Sequence, residues 1–94
     1  MRESKVESHL KKQVELAGGA CEKFVSPGKK NVPDRICSWP GAVVDFVETK
    51  ATGKDANDGQ VRDHRRRRTI KFKVFVIDTV EKVDAYIKIV RLRP

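Results

Sequence analysis

Glu48-Thr49-Lys50 closes the apolar run AVVDFVETK, residues 42–50. Side chains of an extended segment alternate between two faces. Val44, Phe46, Glu48 and Lys50 therefore share one face, and Val43, Asp45, Val47 and Thr49 the other. A carboxylate and an ammonium leave the end of a core strand side by side. Pro33-Asp34 opens the preceding candidate strand, and antiparallel pairing of the two brings Asp34 beside Glu48. Neighbouring carboxylates repel and raise each other's pKa. A hard divalent cation relieves that conflict, because Mg²⁺ is held by one or two carboxylates plus waters, with phosphate oxygens completing its octahedron. Such an ion lowers the pKa of a bound water and offsets phosphate charge. An ammonium at Lys50 can orient that water or stabilise negative charge building at phosphorus. The pattern suits phosphodiester hydrolysis.

Each residue also has a plainer reading. A Glu-Lys pair two positions apart on an exposed strand end is common and contributes little. Asp34 after Pro33 is an ordinary turn residue, and Glu7 can serve simply as the capping partner of Ser4. Gln60 early in a helix is usually solvated. His9 and His64 read as helix-surface residues rather than ligands, and Trp39 before Pro40 as hairpin packing. These readings weaken when the residues are taken together and in order.

Charge narrows the partners. Lys and Arg total 21 against 13 acidic residues, a net charge of +8 on 94 residues. A surplus of this size favours a polyanion, most often nucleic acid. It is clustered: HRRRR spans residues 64–68, with Lys71 and Lys73 close behind. An anionic membrane surface would need large apolar residues opposite the basic face, and residues 60–68 offer only Val61. No apolar run is long enough to span a bilayer. The start, MRESKVESHLKK, lacks the apolar stretch of a signal peptide, so the expected location is the cytoplasm, of a bacterium or of a phage-infected host cell. Cys21 and Cys37 are then expected as reduced interior thiols. With His9 and His64 they are the only soft ligands, and they lie too far apart in sequence for a zinc motif.

Positioning these groups demands a definite order of elements. Residues 4–17 predict a helix: Val6, Leu10, Val14 and Ala17 recur at helical spacing, Gly18-Gly19 end the pattern, and Ser4 with Glu7 makes a capping box. Residues 20–26 predict a strand and 27–31 a turn or loop. Residues 34–39 and 42–50 predict strands joined by a tight turn at Pro40-Gly41, an antiparallel hairpin. The loop at 51–59 ends in Asn57 and Asp58, either of which can cap a helix from about 59 to 69. That helix has a poor apolar stripe, because the helical neighbours of Val61 are His64, Arg65 and Arg68. Residues 72–77 predict an apolar strand. Asp78 or Thr79 then caps a last helix bearing Val80, Val83 and Ile87, and KIVRLRP at 88–94 reads as an edge strand or a tail. Helices and strands mixed around one sheet make the class α/β or α+β.

Glu7 in the first helix, Pro33-Asp34 opening a strand, Glu48-Thr49-Lys50 ending the next and Gln60 entering a helix together resemble the PD-(D/E)xK nuclease superfamily. More closely they resemble its VRR-NUC family, the virus-type replication-repair nucleases. The likeness runs from about residue 4 to about residue 90. It implies an α/β, restriction-endonuclease-like α-β-β-β-α-β core with a C-terminal helix, residues 1–94 forming a single nuclease domain. It implies that Asp34 and Glu48 hold Mg²⁺ or Mn²⁺, with the Thr49 carbonyl as a third oxygen. Lys50 would act on the attacking water and the transition state, Gln60 would orient Lys50 or the water, and Glu7 would approach the metal through water.

Members of that family cleave DNA phosphodiesters. Its short stand-alone members resemble Holliday-junction resolvases and act as homodimers, and a chain of this length resembles those. The expected function is a metal-dependent, structure-selective DNA endonuclease whose partners are a second copy and branched DNA, a four-way junction. Lys29, Lys30, Arg65, Arg66, Arg67 and Arg68 are the expected nucleic-acid contacts. The last helix and KIVRLRP are the expected dimer face. The alternatives are a non-catalytic basic nucleic-acid-binding module and a flap-type nuclease. Two positions depart from the family pattern. Asn31 stands where it has Gly, and the helix after Gln60 is far more basic than usual.

Overall fold

The computed structural model describes every residue from Met1 to Pro94. In chain order the elements are α1 (Glu3–Leu16), β1 (Ala20–Lys23), β2 (Arg35–Trp39), β3 (Val43–Thr49), α2 (Asp58–Thr69), β4 (Lys73–Ile77) and α3 (Val80–Leu92). The four strands form one sheet in the order β1-β2-β3-β4. β1, β2 and β3 pair antiparallel, and β4 joins β3 in parallel through the α2 crossover. This is the α/β order that the sequence predicts.

Strand alternation sorts the sheet into two faces. Cys21, Cys37, Trp39 and Val47 pack with Val6, Leu10 and Val14 of α1 and with Val83, Tyr86 and Ile87 of α3 in one apolar cluster. Between them stands Asp45, fully buried. It accepts the Tyr86 hydroxyl at 2.5 Å and both terminal nitrogens of Arg93, at 2.9 and 3.0 Å. Trp39 Nε1 donates to the Tyr86 oxygen at 3.0 Å, so the network's buried polar atoms are satisfied. The opposite face carries Phe46 between Phe24 and Phe72, with ring centroids 5.7 and 5.1 Å away, and α2 lies across it.

Local sequence sets most of the element ends. Asn57 accepts from Gln60 N, and the Gln60 side chain accepts from Asn57 N, a reciprocal cap that starts α2. Thr79 accepts from Lys82 N and starts α3. The hairpin turn places Gly41 and Ala42 in the left-handed region, at φ 84° and 61°.

Three expectations need correction. Residues 88–92 continue α3 rather than forming a strand or tail. Tyr86, Ile87 and Val90 extend the apolar stripe begun at Val83, and that packing overrides the β-branched composition. Ser4 and Glu7 make no capping box: Arg2 is the N-cap without a side-chain bond, and Glu7 bonds Arg35 instead. β1 ends at Lys23, although Phe24 N still donates to Asp34 O at 2.9 Å. No helix is long and apolar enough to cross a membrane.

Candidate active site

The β2–β3 pairing sets Arg35 opposite Val47. Extending that register by one residue sets Asp34 opposite Glu48, at the carboxyl end of β3. Asp34 Oδ1 accepts the Thr49 N–H at 2.9 Å, and Oδ2 accepts the Thr49 hydroxyl at 2.5 Å. The Asp34 carboxylate therefore touches the peptide that joins Glu48 to Thr49. β4, parallel to β3, ends at the same edge, and Lys50 N donates to Ile77 O at 2.9 Å. The loop beyond Lys50 is tied to that edge as well, through Gly53 N to Asp78 Oδ2 at 2.9 Å and Thr52 Oγ1 to Asp78 O at 2.8 Å. Ligands of parallel α/β sheets lie outside the carboxyl ends of the strands, and Asp34, Glu48 and Lys50 lie there.

Glu48 is 4% exposed, and its Oε1 has no hydrogen-bond donor. Burial first, and then the Asp34 charge, push its carboxyl up to about 8, while Lys50 works in the other direction. Asp34 is also raised, chiefly by burial, although its two bonds from Thr49 favour the charged form. The nearest polar atom to Glu48 Oε1 is His64 Nε2 at 3.5 Å, and that nitrogen is equally without a partner. Burial and the Arg68 charge hold His64 below the usual imidazole range. The spacing is that of a loose ion pair, but burial disfavours charge on both groups.

This arrangement fits a divalent cation. An unpaired buried carboxyl beside a second carboxylate is costly, and a cation at this edge would be held by Asp34 and Glu48. His64 lies against Glu48, but no group of three His, Cys, Asp or Glu side chains is placed to ligate a metal together, so the two carboxylates match a hard ion completed by water and phosphate oxygens rather than a zinc cage. Thr49, expected to contribute its carbonyl, uses its N–H and hydroxyl to steer Asp34. Lys50 makes no ion pair, and its charge is felt at Glu48, so the ammonium is free to meet a phosphate.

The other expected residues divide. Glu7 Oε2 accepts from Arg35 Nε at 3.0 Å, and its charge is felt at Asp34. It borders the site through Arg35 rather than reaching into it. The oxygen of Gln60 is engaged by Asn57 N in the helix cap, at 3.0 Å. His64, expected on a helix surface, is 1% exposed and lies against Glu48.

The four arginines do not act alike. Arg67 stacks on the rings of Phe46 and Phe24, 4.6 and 5.1 Å from their centroids, and donates to Asp63 Oδ2 at 2.7 Å. Arg68 donates to Val74 O at 2.6 Å. Arg66 donates to Asp63 Oδ1 at 3.0 Å and remains exposed, and Arg65 is exposed without an acidic partner. Arg67 and Arg68 therefore fasten α2 to the sheet. Asp63, 5% exposed, was not singled out in the sequence, yet it organises Arg66 and Arg67. The signal available for it was its spacing of three and four from those arginines.

No family model matches the sequence. The chain is 40% identical over 79 residues to a protein of Acyrthosiphon pisum secondary endosymbiont phage 1 described as "Putative nuclease p44", covering 84% of this chain and 85% of that one. Its fold is similar to that of a solved structure described as "VRR_NUC domain". The TM-score is 0.87 at 29% identity, over 94% of this chain and 97% of the other.

Proposed function

Because this chain belongs to the VRR-NUC family of nucleases, we propose that it is a divalent-cation-dependent, structure-selective DNA endonuclease, acting as a homodimer on four-way junctions. The observation that carries this reading is the placement of Glu48: a buried carboxyl without a donor, across the strand pair from Asp34 and beside an unpaired Lys50. Asp34 and Glu48 are the carboxylates that would hold Mg²⁺ or Mn²⁺, with the Thr49 carbonyl as the third oxygen. When bound, the cation supplies charge neutralisation at the phosphate and acidifies water.

The chain's own residues do the rest. Thr49 holds Asp34 in a fixed orientation through two hydrogen bonds. The sheet and α2 keep Glu48 out of bulk water, which strengthens its attraction to a cation. Lys50 donates to the attacking water or to a non-bridging phosphate oxygen. Gln60 keeps its amide NH₂ for orienting Lys50 or the water, since its oxygen is fixed by the cap. Glu7 steadies Arg35 under the strand that carries Asp34.

A twofold dimer presents two identical sites, which matches the symmetry of a four-way junction. Ile89 and Leu92 of α3 are 46% and 84% exposed, which supports the last helix as the pairing face. The test is incubation of an end-labelled four-way junction and a linear duplex of the same sequence with Mg²⁺. The wild type is expected to nick the junction in symmetric strands and leave the duplex largely intact, and Lys50→Ala to lose at least a hundredfold in rate. Equal cutting of both substrates would remove structure selectivity. Equal rates for wild type and Lys50→Ala would remove the assigned site.

A further inference from the structure

We propose that the groove between the 28–31 loop and the first two turns of α2 seats one strand of duplex DNA beside the cleavage site. This rests on the nuclease reading and adds to it which basic residues meet the substrate. The groove is an open cleft of about 420 Å³ with no hydrophobic residue in its lining. Lys29 and Lys30 form one wall, and Arg62 and Arg66, one helical turn apart on α2, form the other. Lys29, Lys30 and Arg62 are exposed and make no ion pair. The single acid present, Asp63, is buried with both oxygens held by Arg66 and Arg67; it offsets one positive charge and leaves the lining strongly basic.

The walls meet where the Asn31 side chain lies over Gly59. A Cβ on Gly59 would lie 2.4 Å from Asn31 Nδ2, so glycine lets that side chain sit directly on the helix, and any larger residue would push it aside. Asn31 takes φ 68°, the left-handed conformation that asparagine tolerates better than most residues. The contact joins the two walls beside the site's own segments. Asn31 leads in three residues to Asp34, and Gly59 directly precedes Gln60. A backbone lying between the lysines and arginines is thereby held next to the segments that carry Asp34 and Gln60.

The chemistry of the lining selects the ligand. Three unpaired cations, with Arg66 held beside them by Asp63, make a strongly basic cleft that can recognise successive phosphates. Single strands are typically held by aromatic platforms on which bases stack. None lines this groove, and the nearby Phe24 and Phe46 are covered by Arg67. The cleft therefore reads backbone charge, as the outer surface of a duplex presents it.

The experiment is fluorescence anisotropy with a labelled duplex in EDTA, where binding is separated from cleavage, repeated across a salt series. The groove variant is Lys29→Ala with Arg62→Ala. The control is Lys11→Ala with Lys12→Ala, an equal charge loss at exposed positions on α1, across the sheet from α2. The groove variant is expected to bind at least tenfold more weakly at low salt, with the slope of log K against log salt reduced by about two, and the control is expected to keep the wild-type slope. Equal losses in the two variants overturn the groove, and so does a wild type that prefers a single strand of the same length. A wild type that cleaves DNA while its groove variant binds unaltered refutes this inference alone. A wild type that neither binds nor cleaves refutes the nuclease reading with it.

Discussion

Glu48 Oε1 and His64 Nε2 face each other across 3.5 Å, each buried and neither in a hydrogen bond. A domain this small seldom leaves two such atoms unpaired, because each costs about 1–3 kcal/mol. In the proposed site the cost falls on the carboxylate that would meet a cation, which is where stored instability serves function.

The first prediction concerns pH. Glu48 has its carboxyl raised from 4.5 to about 8 in the folded chain. Between those values the folded protein holds a proton that the unfolded chain has released, so stability falls as pH rises through this window. Asp34, also raised, acts in the same direction. Thermal melts in EDTA should show a falling melting temperature from pH 5 to pH 8. Glu48→Gln, neutral at every pH, should flatten the curve and exceed the wild type above pH 8. A wild-type curve that rises through the same range would contradict the buried-carboxyl account.

Arg67 and Arg65 should separate cleanly. Arg67→Ala removes a guanidinium that covers two phenylalanine rings and pairs with buried Asp63. The expected loss is about 1–2 kcal/mol of stability by urea unfolding. Arg65→Ala, exposed and without an acidic partner, should leave stability within about 0.5 kcal/mol. The reverse ranking would mean that the basic helix is held to the sheet by something else.

Asp45 anchors the chain's C-terminal end. Asp45→Ala leaves the Tyr86 hydroxyl without its acceptor and Arg93 without its carboxylate, inside a face that is otherwise apolar. A cost of about 3 kcal/mol is expected. Arg93→Ala should be milder, because its side chain is 23% exposed. Hydrogen exchange of the last turn of α3 should rise in both variants.

Ala42 is a site for stabilisation. Its φ of 61° costs about 1–2 kcal/mol for a residue with a Cβ. Glycine removes that strain and adds about 0.4–1 kcal/mol of unfolded-chain entropy, so Ala42→Gly should gain roughly 0.5–1 kcal/mol. A loss of stability would show that the turn is not strained.

The sequence made the frame and the chemistry of β3 legible for physical reasons. Helical spacing in α1 and alternation in β3 are local patterns, and alternation alone puts Glu48 and Lys50 on one face. The cap at Asn57 made α2 legible as a helix, but its packing was not, because its buried face is Asp63 and His64, with Arg67 folded down over two rings. A hydrophobic stripe cannot report burial achieved by paired polar groups. Glu7 misled for a similar reason. Its partner, Arg35, is 28 residues away, and Ser4 offered a nearer match to a known cap. Residues 88–92 carry Ile and Val, which favour strands, but the stripe of Val83, Tyr86 and Ile87 runs on to Val90 and carries the helix through them.

The central claim is that Asp34 and Glu48 share a divalent ion, and calorimetric titration of Mn²⁺ into the metal-free protein tests it most directly. The wild type should take up the ion and release protons near pH 7, because Glu48, held at about 8, must give up its proton to coordinate. Asp34→Asn and Glu48→Gln should each bind at least tenfold more weakly, and Glu48→Gln should release no proton from this position. Uptake of equal strength and equal proton release in all three proteins would contradict the account.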